Sequence, residues 1–336
     1  MTGTTDQSNS ASPERHADPV VGIIYNPRSH RNQGQDLDVA SLPNVHVRQP
    51  AQRTDIPKAL AELAAFDIDF LIINGGDGTV RDVLSCGQVV FGDSWPDLAV
   101  LPKGKTNALN VDLGAPAGWT LAEAIAAYPG GRRIRRRPIS ITPKNGGSET
   151  ISGCGPSMLG FIMGGGAFTT GIRAGQDAHR MGAFNSLAVG VTSVWGVLQG
   201  LFGSDSNIWR RGTPMQIHLG SERAPMPHSG HGDPATRSIF LASTLEKFPA
   251  GIKLFSTEHN GLRLAVLDKP RRRTLAKLPL YFSGILGSPS GKGGFHQVAA
   301  DEFELQIGDQ YILDGEAYPP GTYVVAPGPE LNFVVP

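Results

Sequence analysis

The chain has 336 residues, of which 40% are hydrophobic and 18% charged; that is long for one domain, enough for two buried cores, and excludes a disordered or fibrous chain. Thirty basic residues balance thirty acidic ones, so no basic excess points to a nucleic-acid partner. The two cysteines, Cys86 and Cys154, stand in no metal or redox spacing and read as small core residues of a reduced, cytoplasmic protein.

Met1 to about Asp18 is polar, lacks the basic start and apolar core of a signal peptide, and is expected to be a disordered tail. Val20–Tyr25 is an apolar run ending at Asn26-Pro27, which predicts a buried strand and a turn. Val45–Val47 is a weaker strand. Thr54 looks like the N-cap of a helix whose stripe is Ile56, Leu60, Leu63 and Ala64, ending near Phe66. Asp69–Ile73 is the clearest buried strand. It runs into Asn74-Gly75-Gly76-Asp77-Gly78-Thr79 and a helix through about Ser85. Leu98–Leu101 is followed by Pro102-Lys103-Gly104-Lys105-Thr106-Asn107 and another helix, and Leu121–Ala127 is helical again. Alternation at this spacing predicts a doubly wound parallel sheet over residues 19–137, with ligands at the carboxyl ends of its strands.

After Arg137 the pattern becomes short strands between turn residues: Ile139–Thr142, Phe161–Met163, Met215–His218, Ile239–Ser243, Leu262–Leu267, Glu304–Ile307, Tyr311–Leu313, Tyr323–Ala326 and Leu331–Val335. This predicts a β-rich, antiparallel, sandwich-like part over residues 138–317, with about 318–336 free to pack back on the first part. Helices interrupt it at Phe184–Leu201 and Arg272–Leu286. The uncharged stretches Gly155–Ile172 and Phe184–Gly203 fit core packing or the walls of an acyl-chain pocket equally, and the second is too polar for a spanning helix. His218–Thr236 is an exposed loop too rich in Pro and Gly to suggest metal binding by its histidines. Arg132–Arg137 and the shorter Arg271-Arg272-Arg273 read as solvated faces, with contact to anionic lipid, and for the first run approach to a nucleotide, as the alternatives.

Three loops carry the chemistry. Gly75-Gly76-Asp77-Gly78-Thr79, between a buried strand and a helix, lets backbone amides and a helix N-terminus approach a phosphate. Asp77 adds a carboxylate suited to Mg²⁺ or to accepting a proton. No Gly-Lys-Ser/Thr follows, so this is not a P-loop. Lys103, Gly104, Lys105, Thr106 and Asn107 form a second strand–turn–helix loop. Asn26-Pro27-Arg28-Ser29 is a third at the same sheet edge, with Arg28 able to reach a phosphate.

These loops resemble those of the diacylglycerol kinase catalytic family, which includes bacterial lipid kinases, sphingosine kinases and ceramide kinases and is distantly related to NAD kinases. Gly75-Gly76-Asp77-Gly78-Thr79 matches its hallmark, and Asp314-Gly315-Glu316 resembles its Asp-Gly-Glu near the C-terminus. The resemblance implies an α/β nucleotide-binding domain, a β-rich lipid-binding domain and an active site in the cleft between them. It implies ATP and Mg²⁺ as cofactors and a lipid acceptor at the membrane surface, with a homodimer left open. By resemblance the catalytic candidates are Asp314, Glu316 and Asp77: Asp314 as base, Glu316 orienting it or touching nucleotide, Asp77 as rival base and metal ligand. Asn26, Arg28, Gly75, Gly76, Asp77, Gly78, Thr79, Lys103, Gly104, Lys105, Thr106 and Asn107 are the nucleotide candidates. The second loop departs from the family's Pro-x-Gly-Thr-x-Asn-Asp: Lys105 replaces Thr and Ala108 replaces Asp. Lys105 is expected to offer a point charge where relatives use a hydroxyl. Two other readings stay open: a soluble-substrate kinase of the NAD-kinase type, disfavoured by Asn107-Ala108-Leu109-Asn110 where that family has an Asn-Glu pair, and an inactive lipid-binding protein on the kinase scaffold.

Overall fold

A computed structural model of the chain describes residues 18–32, 37–144, 154–170, 212–255 and 261–336. The expected tail up to residue 17, the expected helix at 184–201, the uncharged stretch 184–203 and the last two residues of the stretch 155–172 lie outside them.

The first part contains β1 (Val21–Tyr25), β2 (Val45–Arg48), α1 (Ile56–Ala64), β3 (Phe70–Gly75), α2 (Asp77–Phe91), β4 (Asp97–Pro102), α3 (Ala108–Leu113), α4 (Leu121–Ala127) and β5 (Arg132–Arg136). Then come β6 (Ile139–Pro143), β7 (Met158–Gly160), β8 (Ile162–Gly166), β9 (Thr213–Leu219), β10 (Ala224–Pro225), β11 (Thr236–Arg237), β12 (Ile239–Ser243), β13 (Arg263–Leu267) and α5 (Arg272–Phe282). Last are β14 (Phe295–Ala299), β15 (Phe303–Ile307), β16 (Tyr311–Leu313), β17 (Glu316–Tyr318), β18 (Gly321–Pro327) and β19 (Leu331–Val335).

The first sheet has the order β2-β1-β3-β4-β19-β5. β1 to β4 and β19 run parallel, and β5 is antiparallel to β19. Alternation along its strands divides the apolar residues between two faces. Ile24, Leu71, Ile73, Leu98 and Val100 meet Leu60 and Leu63 of α1 and Val83 and Leu84 of α2. Ile23, Phe70, Ile72, Ala99 and Leu101 meet Leu121 and Ala124 of α4 on the other face. Helices on both faces make this the doubly wound arrangement expected, with its crevice at the carboxyl ends of β1, β3 and β4.

The remaining strands form two antiparallel sheets, β10-β9-β15-β18-β6-β7 with β11 on β9, and β14-β13-β12-β8-β16-β17. Ile141, Met215, Phe303 and Val325 from one meet Met163, Phe240, Leu264 and Tyr311 from the other in one core, as in a sandwich. β18 stays in this sandwich, whereas β19 crosses back into the first sheet. No helix among the described residues is long and apolar enough to cross a membrane.

Three local expectations need correction. Thr54 does not cap α1: it lies inside a 3₁₀ turn, Arg53–Asp55, where the Asp55 carboxylate accepts the Gln52 N–H at 3.0 Å. α2 does not stop near Ser85. It passes Gly87, whose absent side chain leaves room for the Trp95 ring, and ends at Gly92 with φ +53°. Cys86 and Cys154 are buried as expected but are joined in a disulfide, with Cα atoms 4.4 Å apart. Sequence spacing gave no sign of it, because the pairing depends on α2 packing along β7. There Ser85 Oγ accepts the Leu159 N–H at 2.9 Å.

The cross-link spans 68 residues, and in the chain-entropy account a loop of that size adds about 4 kcal/mol of stability. Cys86→Ser, or reduction of the wild type, should therefore lower the melting temperature by several degrees. An unchanged melting temperature after reduction, with both thiols then titrated, would contradict this contribution.

Candidate active site

The three loops converge at the edge of the first sheet. Gly76 and Gly104 bring their backbones together: a Cβ on Gly76 would lie 3.0 Å from the Gly104 Cα, and one on Gly104 2.9 Å from the Gly76 Cα. Gly75 fits over Thr79, whose Cβ would lie 2.5 Å from an added Cβ. Side chains then fix the loops to each other. Asn26 Nδ2 donates to Thr79 Oγ1 at 2.8 Å, and Asn26 Oδ1 accepts the Arg28 N–H at 3.0 Å. Ser29 Oγ accepts the Gly76 N–H at 3.2 Å, and the Lys103 carbonyl accepts the Arg31 N–H at 3.2 Å. Asn107, at φ +51°, brackets Gly104, accepting its N–H at 2.7 Å and donating to its carbonyl at 3.0 Å.

Asp77 joins the first loop to the second. Its two oxygens accept the backbone N–H groups of Asn107 at 3.0 Å and Ala108 at 2.9 Å, at the start of α3. Burial raises its carboxyl above the usual carboxylate range, and these amide hydrogen bonds oppose the rise.

Asp314 arrives from the sandwich. Asp314-Gly315 is the two-residue turn between β16 and β17, with Leu313 opposite Glu316 and φ of +46° and +84° at the turn residues. Positive φ at both positions is the geometry of a tight hairpin. The turn aims the half-buried carboxylate back across β8, where Oδ1 accepts the Ile162 N–H at 2.9 Å and Oδ2 the Phe161 N–H at 3.0 Å. Gly160 leaves the room, since a Cβ there would lie 2.7 Å from Asp314 Oδ2. Burial, reinforced by the negative charge of Asp77, pushes the Asp314 carboxyl up to about 7, against the lowering pull of its amide donors and of Arg81.

A cavity of about 380 Å³ separates Asp314 from the loops; Arg28, Gly76, Asp77, Gly78, Gly104, Lys105 and Thr106 line it, together with Ser29 and His30. Asn26, Gly75, Thr79, Lys103 and Asn107 do not line it; they support the loops that do. Glu316 points elsewhere. Its carboxylate meets Arg81, in a short contact, and Arg53 at 3.2 Å, so it does not orient Asp314 by direct contact.

Those arginines belong to a cluster that sequence reasoning missed. Arg81 of α2 is 3% exposed. It donates to Asp82 at 2.9 Å and to the Leu313 carbonyl at 3.3 Å, one residue before Asp314. Arg53 meets Asp82 at 2.8 Å and the Tyr318 hydroxyl at 3.4 Å. The cluster locks α2, which carries the glycine loop, to the hairpin that carries Asp314. A charged pair one residue beyond Gly78-Thr79, after Val80 on the sheet-facing helix, was the available signal for Arg81 and Asp82; Arg53 and His30 offered none.

Mg²⁺ needs few ligands from the protein when phosphates and water supply the rest. Asp77 and Asp314 face one cleft, and the repulsion by Asp77 that adds to the effect of burial on Asp314 is what a cation between them would relieve. The oxygen donors therefore suit Mg²⁺ shared with a phosphate. No group of three or more His, Cys, Asp or Glu side chains among the described residues suits a metal held by the protein alone.

Residues 20–137 match the family model of the diacylglycerol kinase catalytic domain. That region of the chain, its first part up to the end of β5, is similar to the diacylglycerol kinase catalytic domain. The chain is also similar to lipid kinase YegS of Escherichia coli (strain K12), at 32% identity over 82 residues, 24% of this chain. That match spans 27% of the length of YegS, about a quarter of the relative. Its fold is similar to the crystal structure of a diacylglycerol kinase from Bacillus anthracis str. Sterne, with a TM-score of 0.60 at 14% identity, over 96% of this chain and 98% of the other.

Proposed function

We propose that the chain is a lipid kinase that uses ATP and Mg²⁺ to phosphorylate a lipid hydroxyl of the diacylglycerol, ceramide or sphingoid-base type. One observation carries this reading: a carboxylate tuned to about 7, Asp314, stands across a cleft from two apposed glycine loops. A hydroxyl nucleophile must lose its proton as it attacks, and a base with a pKa near the working pH does this best. Asp314 accepts that proton. Asp77, whose oxygens are already engaged by Asn107 and Ala108, fixes the second loop and is the ligand to hold Mg²⁺. The bound ion would neutralise phosphate charge. The first turn of α2 offers amides without intrahelical partners, and Arg28 and Lys105, both exposed on the cleft wall, face the phosphate chain. Names of relatives such as lipid kinase YegS support a lipid acceptor.

An acceptor screen tests the reading. With labelled ATP and Mg²⁺, micellar diacylglycerol, ceramide and sphingosine are offered beside NAD. Label on a lipid supports it; label on NAD alone, or on nothing while ATP binds, overturns it. Lys105→Met should raise the KM for ATP about tenfold, the scale of one hydrogen bond to a charged group; an unchanged KM would remove Lys105 from the site.

A further inference from the structure

We propose that α5 and the loops beside it dock the protein on an anionic lipid bilayer. The proposal deepens the lipid-kinase reading by naming the surface that meets the membrane.

The whole chain is electrically neutral, yet residues 269–300 contain six Lys or Arg and no Asp or Glu. Five of the six, Arg271, Arg272, Arg273, Lys277 and Lys292, are exposed. The other basic run behaves differently. In β5 and the residue after it, Arg133 pairs with Asp97, Arg136 with Asp112 and Glu246, and Arg135 and Arg137 with Glu330. Its charge is largely consumed within the fold. For the five α5-side cations no carboxylate partner appears among the described residues.

Apolar side chains emerge at the same place. Thr274, Leu275 and Leu278 are the buried side of α5. Arg273, Lys277 and Leu280, at i, i+4 and i+7, share the opposite side. Leu280 is 41% exposed, Ile285 73% and Ile252 47%. They are neighbours through the backbone: Leu286 N donates to the Leu280 carbonyl at 3.1 Å, and Lys253 N to the Phe282 carbonyl at 2.8 Å. Lys253 also lies over Gly284, beside Ile285. Solvated aliphatic residues ringed by exposed cations suit an interface where the apolar groups enter the acyl boundary and the cations meet lipid phosphate.

The adjoining cavity, about 470 Å³, carries one of these cations and no acid. Lys292, His228 and His296 line it and no carboxylate does. The nearest acid, Asp268, is fully buried behind it and held by Arg237, His296 and the Ser229 N–H. The face lies at the β13–β14 edge of its sheet, and β16 with Asp314 is four strands away. At the usual spacing this is roughly 20 Å, so the docking face is separate from the catalytic cleft.

Flotation with vesicles of phosphatidylcholine alone, or of phosphatidylcholine with phosphatidylglycerol, tests the proposal without reference to catalysis. The wild type should float with the anionic vesicles and not with the neutral ones. Arg273→Gln/Lys277→Gln should weaken that binding roughly 25-fold, at about fivefold for each cation removed. Leu280→Ser/Ile285→Ser should weaken it with melting temperature retained. Equal binding by the variants, equal binding to neutral vesicles, or no binding at all would overturn it. So would loss of self-association, with vesicle binding unchanged, in the Leu280→Ser/Ile285→Ser protein, since the patch would then be a protein interface. Transfer of phosphate to a micellar acceptor should be unchanged in both variants; its absence from the wild type would count against the kinase reading and leave the flotation result standing.

Discussion

Asp314→Asn is expected to lower phosphate transfer by about a hundred- to ten-thousandfold, the usual contribution of a positioned base, while leaving the fold intact. The amide oxygen can still accept the Phe161 and Ile162 N–H groups that Oδ1 accepts at 3.2 and 2.9 Å. The wild-type rate should rise with pH through about 7 and level off above it, because only the ionised carboxylate accepts a proton. Stability runs the other way. The carboxyl is raised from 3.8 to about 7 in the fold, so the folded state prefers its protonated form, and stability is lost as pH rises from about 4 to about 7. Asp314→Asn removes that loss. Its melting temperature at pH 8 should equal or exceed that of the wild type, and the difference should shrink as the pH falls below 7. A variant of full activity, or a wild-type rate independent of pH between 5 and 9, would show that Asp314 is not the base.

Arg81→Met is expected to destabilise the protein by about 3 to 5 kcal/mol, the range for removing one partner of a buried ion pair. Asp82 and Glu316 would retain Arg53 alone, and the Leu313 carbonyl would lose its donor. The change should also move the activity. Arg81 lowers the Asp314 carboxyl electrostatically, so its removal should shift the midpoint of the pH–rate profile upward. Denaturant unfolding together with that profile separates the two effects: lost stability with an unmoved midpoint would make Arg81 a structural clamp only. Arg81→Lys should recover part of both, as it keeps the charge but not the fork that reaches three acceptors.

The parallel sheet was legible because its strands are buried on both faces and read as continuous apolar runs, as in Phe70–Gly75. The loops at its edge were legible because close approach of Gly76 to Gly104 admits only glycine, and that leaves a mark in the sequence. Asp314 could be read in two ways, as a hairpin turn or as a functional acid; the structure places it in the turn, and the positive φ there is what aims its carboxylate at Ile162. The Arg53–Arg81–Asp82–Glu316 cluster and the Cys86–Cys154 disulfide could not be read, because each joins residues that only the packing of α2 against the sandwich brings together. Short strands such as β7 and β14 escaped for a related reason. Their place is set by the neighbours they pair with, β6 and β13, more than by their own pattern.

The most direct measurement is transfer of labelled phosphate from ATP with Mg²⁺ onto micellar diacylglycerol, ceramide and sphingosine, with wild type and Asp314→Asn side by side. A lipid labelled by the wild type, and at background with the variant of equal melting temperature, is the predicted result. Equal labelling by both proteins, or a wild type that binds ATP and labels none of the three lipids, would contradict it.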